Sequence, residues 1–132
     1  MSVFLDTSAF YALLDAKDAN HEQAKDIWRS LAASASAMVC TNYILLETIA
    51  LLQNRLGMSA IRTFQEDIAP IAEVHWLGAD DHSAAMQALL TADRRRLSLV
   101  DCASFETMRR LGIRKVFTFD RHFAEQGFES LP

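Results

Sequence analysis

Four acidic residues stand in positions where chemistry is a better explanation than solvation. Asp6 directly follows the apolar run Val3-Phe4-Leu5, and Asp120 directly follows Val116-Phe-Thr-Phe119. Glu47 is the only charge in Tyr43-Ile-Leu-Leu-Glu-Thr-Ile-Ala-Leu-Leu52, where burial without a partner is costly. Asp101 lies three residues after Ser98 at the head of a helical segment. Carboxylates that converge on one crevice repel one another and hold their protons more tightly unless a cation joins them. Their hard oxygens suit Mg²⁺ or Mn²⁺, ions that keep several waters and recruit phosphate as a further ligand. Ions held this way activate water for in-line attack on a phosphodiester and stabilise the leaving oxygen. Each acid also has a local reading. Asp6 can cap a helix, Ser98-x-x-Asp101 is a capping box, Asp120 can be a turn residue, and Glu47 can face solvent or pair with an arginine. The four together carry the chemical reading.

Positioning them falls to a series of alternating elements. Val3–Leu5 reads as a strand, and Asp6-Thr7-Ser8 can cap a helix from Ala9 through Leu13. A helix from Asn20, with Gln23 at capping-box spacing, places Ala24, Ile27, Trp28 and Leu31 on one face. Residues 37–41 form a buried strand. A strong helix over 42–56 puts Leu45, Ile49, Leu52 and Leu56 together and stops at Gly57. Ser59 caps a further helix through Ile68. Residues 72–76 alternate like a strand, and Asp80 or Asp81 opens a helix through Leu90. Ser98 caps the helix that ends at Gly112, Val116–Phe119 is a strand, a helical turn runs through Glu125, and Phe128 begins a small edge strand. This order predicts an α/β fold, a three-layer α/β/α sandwich with a mainly parallel central sheet, formed by residues 1–132 as a single domain. In such sheets the ligand crevice lies beyond the carboxyl ends of the strands, which brings Asp6 and Asp120 to one edge.

The 132 residues, 51% hydrophobic and 23% charged, suffice for one core. With four Gly and two Pro there is no low-complexity stretch or evident linker. The opening residues lack a basic leader and a long apolar run, so the expected location is the cytoplasm, with no membrane association. Cys40 and Cys102 stand far apart without metal-ligand spacing and read as reduced, buried thiols. A net charge of −4 argues against a broadly basic nucleic-acid surface. It leaves open a local acidic pocket that bound cations make attractive to phosphate.

With these motifs in place, the sequence resembles the PIN-domain family, and within it the VapC-like toxins of type II toxin-antitoxin pairs. The resemblance spans nearly the whole chain. It rests on Leu5-Asp6-Thr7-Ser8, the helical Glu47, Ser98-Leu-Val-Asp101-Cys-Ala-Ser-Phe105 and Thr118-Phe-Asp120-Arg-His-Phe123, in that order. It implies a PIN-like α/β/α fold and Mg²⁺-dependent endoribonuclease activity on an RNA substrate, with Mn²⁺ as an alternative ion. It also implies homodimerisation and a cognate antitoxin protein. On the matched positions Asp6 and Asp101 would be the principal metal ligands, with Glu47 and Asp120 completing the catalytic pocket and Thr7, Ser8 or Thr118 orienting a ligand or water. His122 departs from the pattern, since some relatives carry a further acid there.

Arg94, Arg95 and Arg96 precede the Asp101 segment and Arg121 follows Asp120, so basic groups flank the acids and can grip an RNA backbone, or simply form solvated turns. An aspartyl phosphatase would need a second acid where this chain has Ser8, and a phosphoacceptor receiver would pair two acids after its first strand. A catalytically inactive PIN-like module that binds RNA or protein remains as the alternative.

Overall fold

Val3, Phe4 and Leu5 are all buried, with no alternation between an inner and an outer face, as expected of a parallel strand covered on both sides. The computed structural model describes residues 1–132 and makes this run, Ser2–Leu5 (β1), the centre of a five-stranded sheet. Its neighbours are Ala37–Thr41 (β2), Glu73–His75 (β3), Lys115–Phe117 (β4) and Glu129–Leu131 (β5), in the order β3-β2-β1-β4-β5, with every pairing parallel. The chain moves outward from β1 to β2 and β3, then returns to the other side for β4 and β5. The order therefore reverses between β1 and β4, which is where a crevice opens beyond the strand ends. Leu5 pairs with Phe117, so Asp6 and Thr118 leave the sheet side by side.

Parallel neighbours need helical crossovers. These are Thr7–Leu14 (α1), His21–Ala33 (α2), Asn42–Arg55 (α3), Met58–Thr63 (α4), Ala79–Ala92 (α5), Leu99–Leu111 (α6) and the short His122–Glu125 (α7). Helix α1 packs on α2 and α3, and α5 packs on α6. One cluster of buried side chains joins strands and helices, with Phe4, Phe10, Phe64, Phe117 and Phe123 among its largest members. Phe10 meets Phe64 edge-on at 5.0 Å and Phe105 meets Phe123 at 5.0 Å, the favoured aromatic geometry. Trp28 lies partly buried against this core. Both cysteines are free and buried, and burial pushes the Cys40 thiol up to about 12. No helix is long and apolar enough to cross a membrane.

Several boundaries differ from the sequence reading for local reasons. Asp6 is itself the N-cap of α1, accepting from the Ser8 amide, so the helix starts at Thr7 rather than Ala9. Asn20 makes no side-chain cap for α2, and the Gln23 capping box does not form; instead the Asp18 carboxylate accepts from Asn20 N at 2.8 Å. Gly57, at φ 93°, both ends α3 and precedes α4, so Met58 rather than Ser59 begins that helix. Regular helix stops at Thr63, giving way to a wider π-type turn over Phe64–Ile68 and a 3-10 turn over Ala69–Ile71. Pro70, which has no N–H to donate, sits in this last turn.

Candidate active site

The turn after β1 makes Asp6 a cap and a pocket residue at once. The side chain is 4% exposed. Its Oδ2 accepts from Ser8 Oγ at 2.6 Å, Thr118 Oγ1 at 2.8 Å and Ser8 N at 3.4 Å. Each hydroxyl has one proton, and both are directed at the same carboxylate oxygen. Ser8 Oγ in turn accepts from Phe119 N at 2.9 Å, and Thr118 Oγ1 accepts from Asp120 N at 2.9 Å. The β1 and β4 ends are thereby stitched together through Asp6. Its Oδ1 takes no protein donor and is not sealed from water, so it is the oxygen left for the crevice. Burial holds the Asp6 proton affinity up, at a pKa of about 6 against the usual 3.8, with the charges of Asp101 and Asp120 adding to the effect and the two hydroxyls opposing it.

Asp101 keeps both roles open in the sequence. Ser98 Oγ accepts from Asp101 N at 3.0 Å, and Asp101 Oδ2 accepts from Ser98 N at 3.1 Å, a complete capping box at the start of α6. The same carboxylate lies in the crevice, and burial, followed by the charge of Asp120, raises its pKa despite the box. Glu47, in the second turn of α3, is half-buried; burial raises its pKa, with Asp101 and Asp120 contributing. The position of Glu47 follows from Thr41, the last residue of β2, whose Oγ1 caps α3 by accepting from Ile44 N at 3.2 Å.

The four acids thus share one end of the sheet, and three of them are shifted upward, chiefly by burial, with the charge of Asp120 adding to each. Within this end of the sheet, Asp101, Asp120 and His122 form a close group, each with one donor atom within 4.8 Å of the others. His122 Nδ1 lies 3.1 Å from Asp120 Oδ1 and 3.7 Å from Asp101 Oδ2. The Asp120 turn brings it there, because Asp120 Oδ1 accepts from His122 N at 2.9 Å and folds the backbone back. In the sequence His122 stands as a departure from the family pattern and, with Arg121, as a basic group beside Asp120; the Asp-x-His spacing was the available signal for a ligand.

The other expected contacts have mixed fates. The hydroxyls of Ser8 and Thr118 are spent on Asp6, as above. Thr7 Oγ1 donates to Ile44 O at 3.5 Å and accepts from Thr48 Oγ1 at 3.2 Å, tying α1 to α3 inside the protein. Arg121 is exposed beside the crevice, at the N-terminal boundary of α7. Arg94 pairs with Glu125 at 3.3 Å, while Arg95 and Arg96 are exposed. Beside Glu47, the residues Tyr43, Leu46, Ala50, His82, Leu99 and Val100 surround a mostly apolar hollow of about 460 Å³.

Comparison with known proteins agrees with this geometry. The PIN domain family model matches residues 3–129. Over 127 residues the chain is 35% identical to the 23S rRNA-specific endonuclease VapC20 of Mycobacterium tuberculosis, covering 96% of this chain and 95% of that protein. It is 27% identical over 124 residues to Ribonuclease VapC26 of the same organism, covering 92% and 90%. The crystal structure of M. tuberculosis VapC20, described as a Sarcin-Ricin loop cleaving toxin, superposes with a TM-score of 0.84 at 34% identity over 96% of this chain and 95% of that one. FitAcB from Neisseria gonorrhoeae, at 13% identity, shares the fold with a TM-score of 0.69 over 100% of this chain and 97% of that one. A parallel sheet that gathers acids at its switch point, matched by relatives aligned from end to end, places the chain in the PIN-domain family, among its VapC-type ribonucleases.

Proposed function

We propose that this protein is a divalent-metal-dependent endoribonuclease, using Mg²⁺ or Mn²⁺, and the toxin of a toxin-antitoxin pair, with residues 1–132 acting as a single PIN domain in the cytoplasm. The observation that carries the proposal is the convergence of Asp6, Glu47, Asp101 and Asp120 on one crevice, with three of the four shifted toward the protonated form. Such a pocket repels phosphate as it stands, and a cation reverses that.

Asp101 and Asp120 are carboxylates spaced to share an ion, and Asp6, through Oδ1, and Glu47 are assigned as further ligands from the same crevice. When bound, a divalent ion supplies a lowered pKa for the attacking water and positive charge against the phosphate oxygens. The side chains do the rest. Ser8 and Thr118 fix one oxygen of Asp6 so that the other keeps its place, a positioning role in place of direct substrate contact. Arg121, Arg95 and Arg96 are exposed and available to the RNA backbone.

The name of the 35% identical relative makes ribosomal RNA the first substrate to try. The family supports a cognate antitoxin and a homodimer. An apolar hollow beside Glu47, edged by Leu46 at 71% exposure, is consistent with a surface that another protein covers.

The test is cleavage of ribosomes and of a mixed RNA pool by purified protein, with Mg²⁺ or Mn²⁺ against EDTA and wild type against Asp6→Asn. Cleavage that needs both the ion and Asp6 is expected. Binding to RNA or to a partner protein without any metal-dependent cleavage would replace the enzyme with a binding module.

A further inference from the structure

The nitrogen of His122 has no evident structural job. Its Nδ1 is buried and has no hydrogen-bond partner, although Asp120 Oδ1 is only 3.1 Å away; the two atoms are close without being aligned. A buried, unpartnered polar atom is uncommon and calls for a cause. Nδ1 makes no aligned hydrogen bond to Asp120 Oδ1, and Asp101 Oδ2, at 3.7 Å, is beyond hydrogen-bond distance. The nitrogen therefore lies beside two carboxylate oxygens without being satisfied by either, an arrangement that a shared cation would complete.

The distances fit a shared ion. Two ligands about 2.1 Å from one ion lie about 3.0 Å apart when at right angles and about 4.2 Å apart when opposite. Nδ1 is 3.1 Å from Asp120 Oδ1 and 3.7 Å from Asp101 Oδ2, between these limits. We propose that His122 Nδ1 is a direct ligand of the ion held by Asp101 and Asp120, making the pocket a mixed oxygen-nitrogen site that favours Mn²⁺ over Mg²⁺. This rests on the metal-dependent reading above and adds a ligand of a different class. Mg²⁺ binds oxygen donors and sheds water reluctantly, whereas imidazole is a donor for transition ions.

The remaining histidines are occupied elsewhere: His21 Nδ1 pairs with Ala12 O at 2.8 Å, His82 with Tyr43, and His75 with Arg110 at 3.5 Å. His82 also lines the hollow beside Glu47, so loss of nitrogen coupling in His122→Asn is what assigns the coupling to His122. The experiment is pulsed electron paramagnetic resonance of the Mn²⁺-loaded protein, with and without ¹⁵N-histidine labelling, beside calorimetric titration with Mn²⁺ and Mg²⁺. Histidine nitrogen coupling is expected in the wild type and changes isotope pattern on labelling, which needs no variant. In His122→Asn, with folding checked by circular dichroism, the coupling disappears and Mn²⁺ affinity falls at least about tenfold, with a smaller change for Mg²⁺. Tightly bound Mn²⁺ with no histidine coupling overturns the assignment of His122 and leaves the carboxylate site standing. No bound Mn²⁺ at all overturns the metal reading of the pocket as well.

Discussion

Replacing Asp6 by Asn should stabilise the metal-free protein at alkaline pH while abolishing activity. Folding raises the Asp6 pKa from 3.8 to about 6, chiefly by burial. The folded state therefore holds this proton more tightly than the unfolded chain. The resulting stability is complete below about pH 4 and is lost as pH rises through 6, in the sense opposite to a salt-bridged acid. Over that interval the loss amounts to about 3 kcal/mol, or about 10 °C in Tm for a domain of this size. Asn keeps an oxygen to accept from Ser8 and Thr118 but carries no charge. In EDTA, urea unfolding followed by circular dichroism should show Asp6→Asn more stable than wild type by about 2–3 kcal/mol at pH 8 and nearly equal at pH 4. Comparing the gap between the two proteins removes the titrations they have in common. Excess Mg²⁺ or Mn²⁺ should narrow or reverse the gap at pH 8, because an ion that needs the carboxylate stabilises only the wild type by mass action. A gap that does not change between pH 4 and pH 8, or a variant less stable at pH 8, would refute the claim that burial of a charge at Asp6 opposes folding.

Two further outcomes follow from the same geometry. Ser98→Ala removes the acceptor for Asp101 N at 3.0 Å, and should cost about 1 kcal/mol in thermal or urea unfolding while weakening divalent-ion binding through a less fixed Asp101. Arg121→Ala should leave Tm unchanged, since the side chain is exposed, yet weaken binding of an RNA that is not cleaved and lower the slope of log affinity against log salt by about one in a filter-binding series; an unchanged slope would mean that Arg121 does not meet the backbone.

The element order and the class of fold were legible because hydrophobic period and capping chemistry are local. The run Val3-Phe4-Leu5 reads as a strand, and Ser98-x-x-Asp101 states its helix start in four residues. The same locality explains the misplaced boundaries. Asn20 has the right side chain for a cap, but Asp18 takes up the turn, and the pattern that read as one helix through Ile68 widens into a π-type turn over Phe64–Ile68, ahead of the 3-10 turn that holds Pro70. The acids were legible as a set because Asp6 directly follows β1 and Asp120 lies three residues beyond β4, and strand ends of a parallel sheet share an edge.

What the sequence determined by itself was this inventory: which residues carry charge into apolar surroundings, and which strand or helix end each one occupies. Tertiary structure alone decided how they are spent. Pairing Leu5 with Phe117 sets Asp6 against Thr118, so hydroxyls that looked available for substrate are consumed in holding one carboxylate oxygen. Folding the Asp120 turn back places His122 Nδ1 between two carboxylates contributed by segments about twenty residues apart in the chain. Proton affinities and donor sets depend on burial and on distances of a few ångströms between segments that sequence spacing does not encode, and both are settled only when the sheet order puts β1 beside β4.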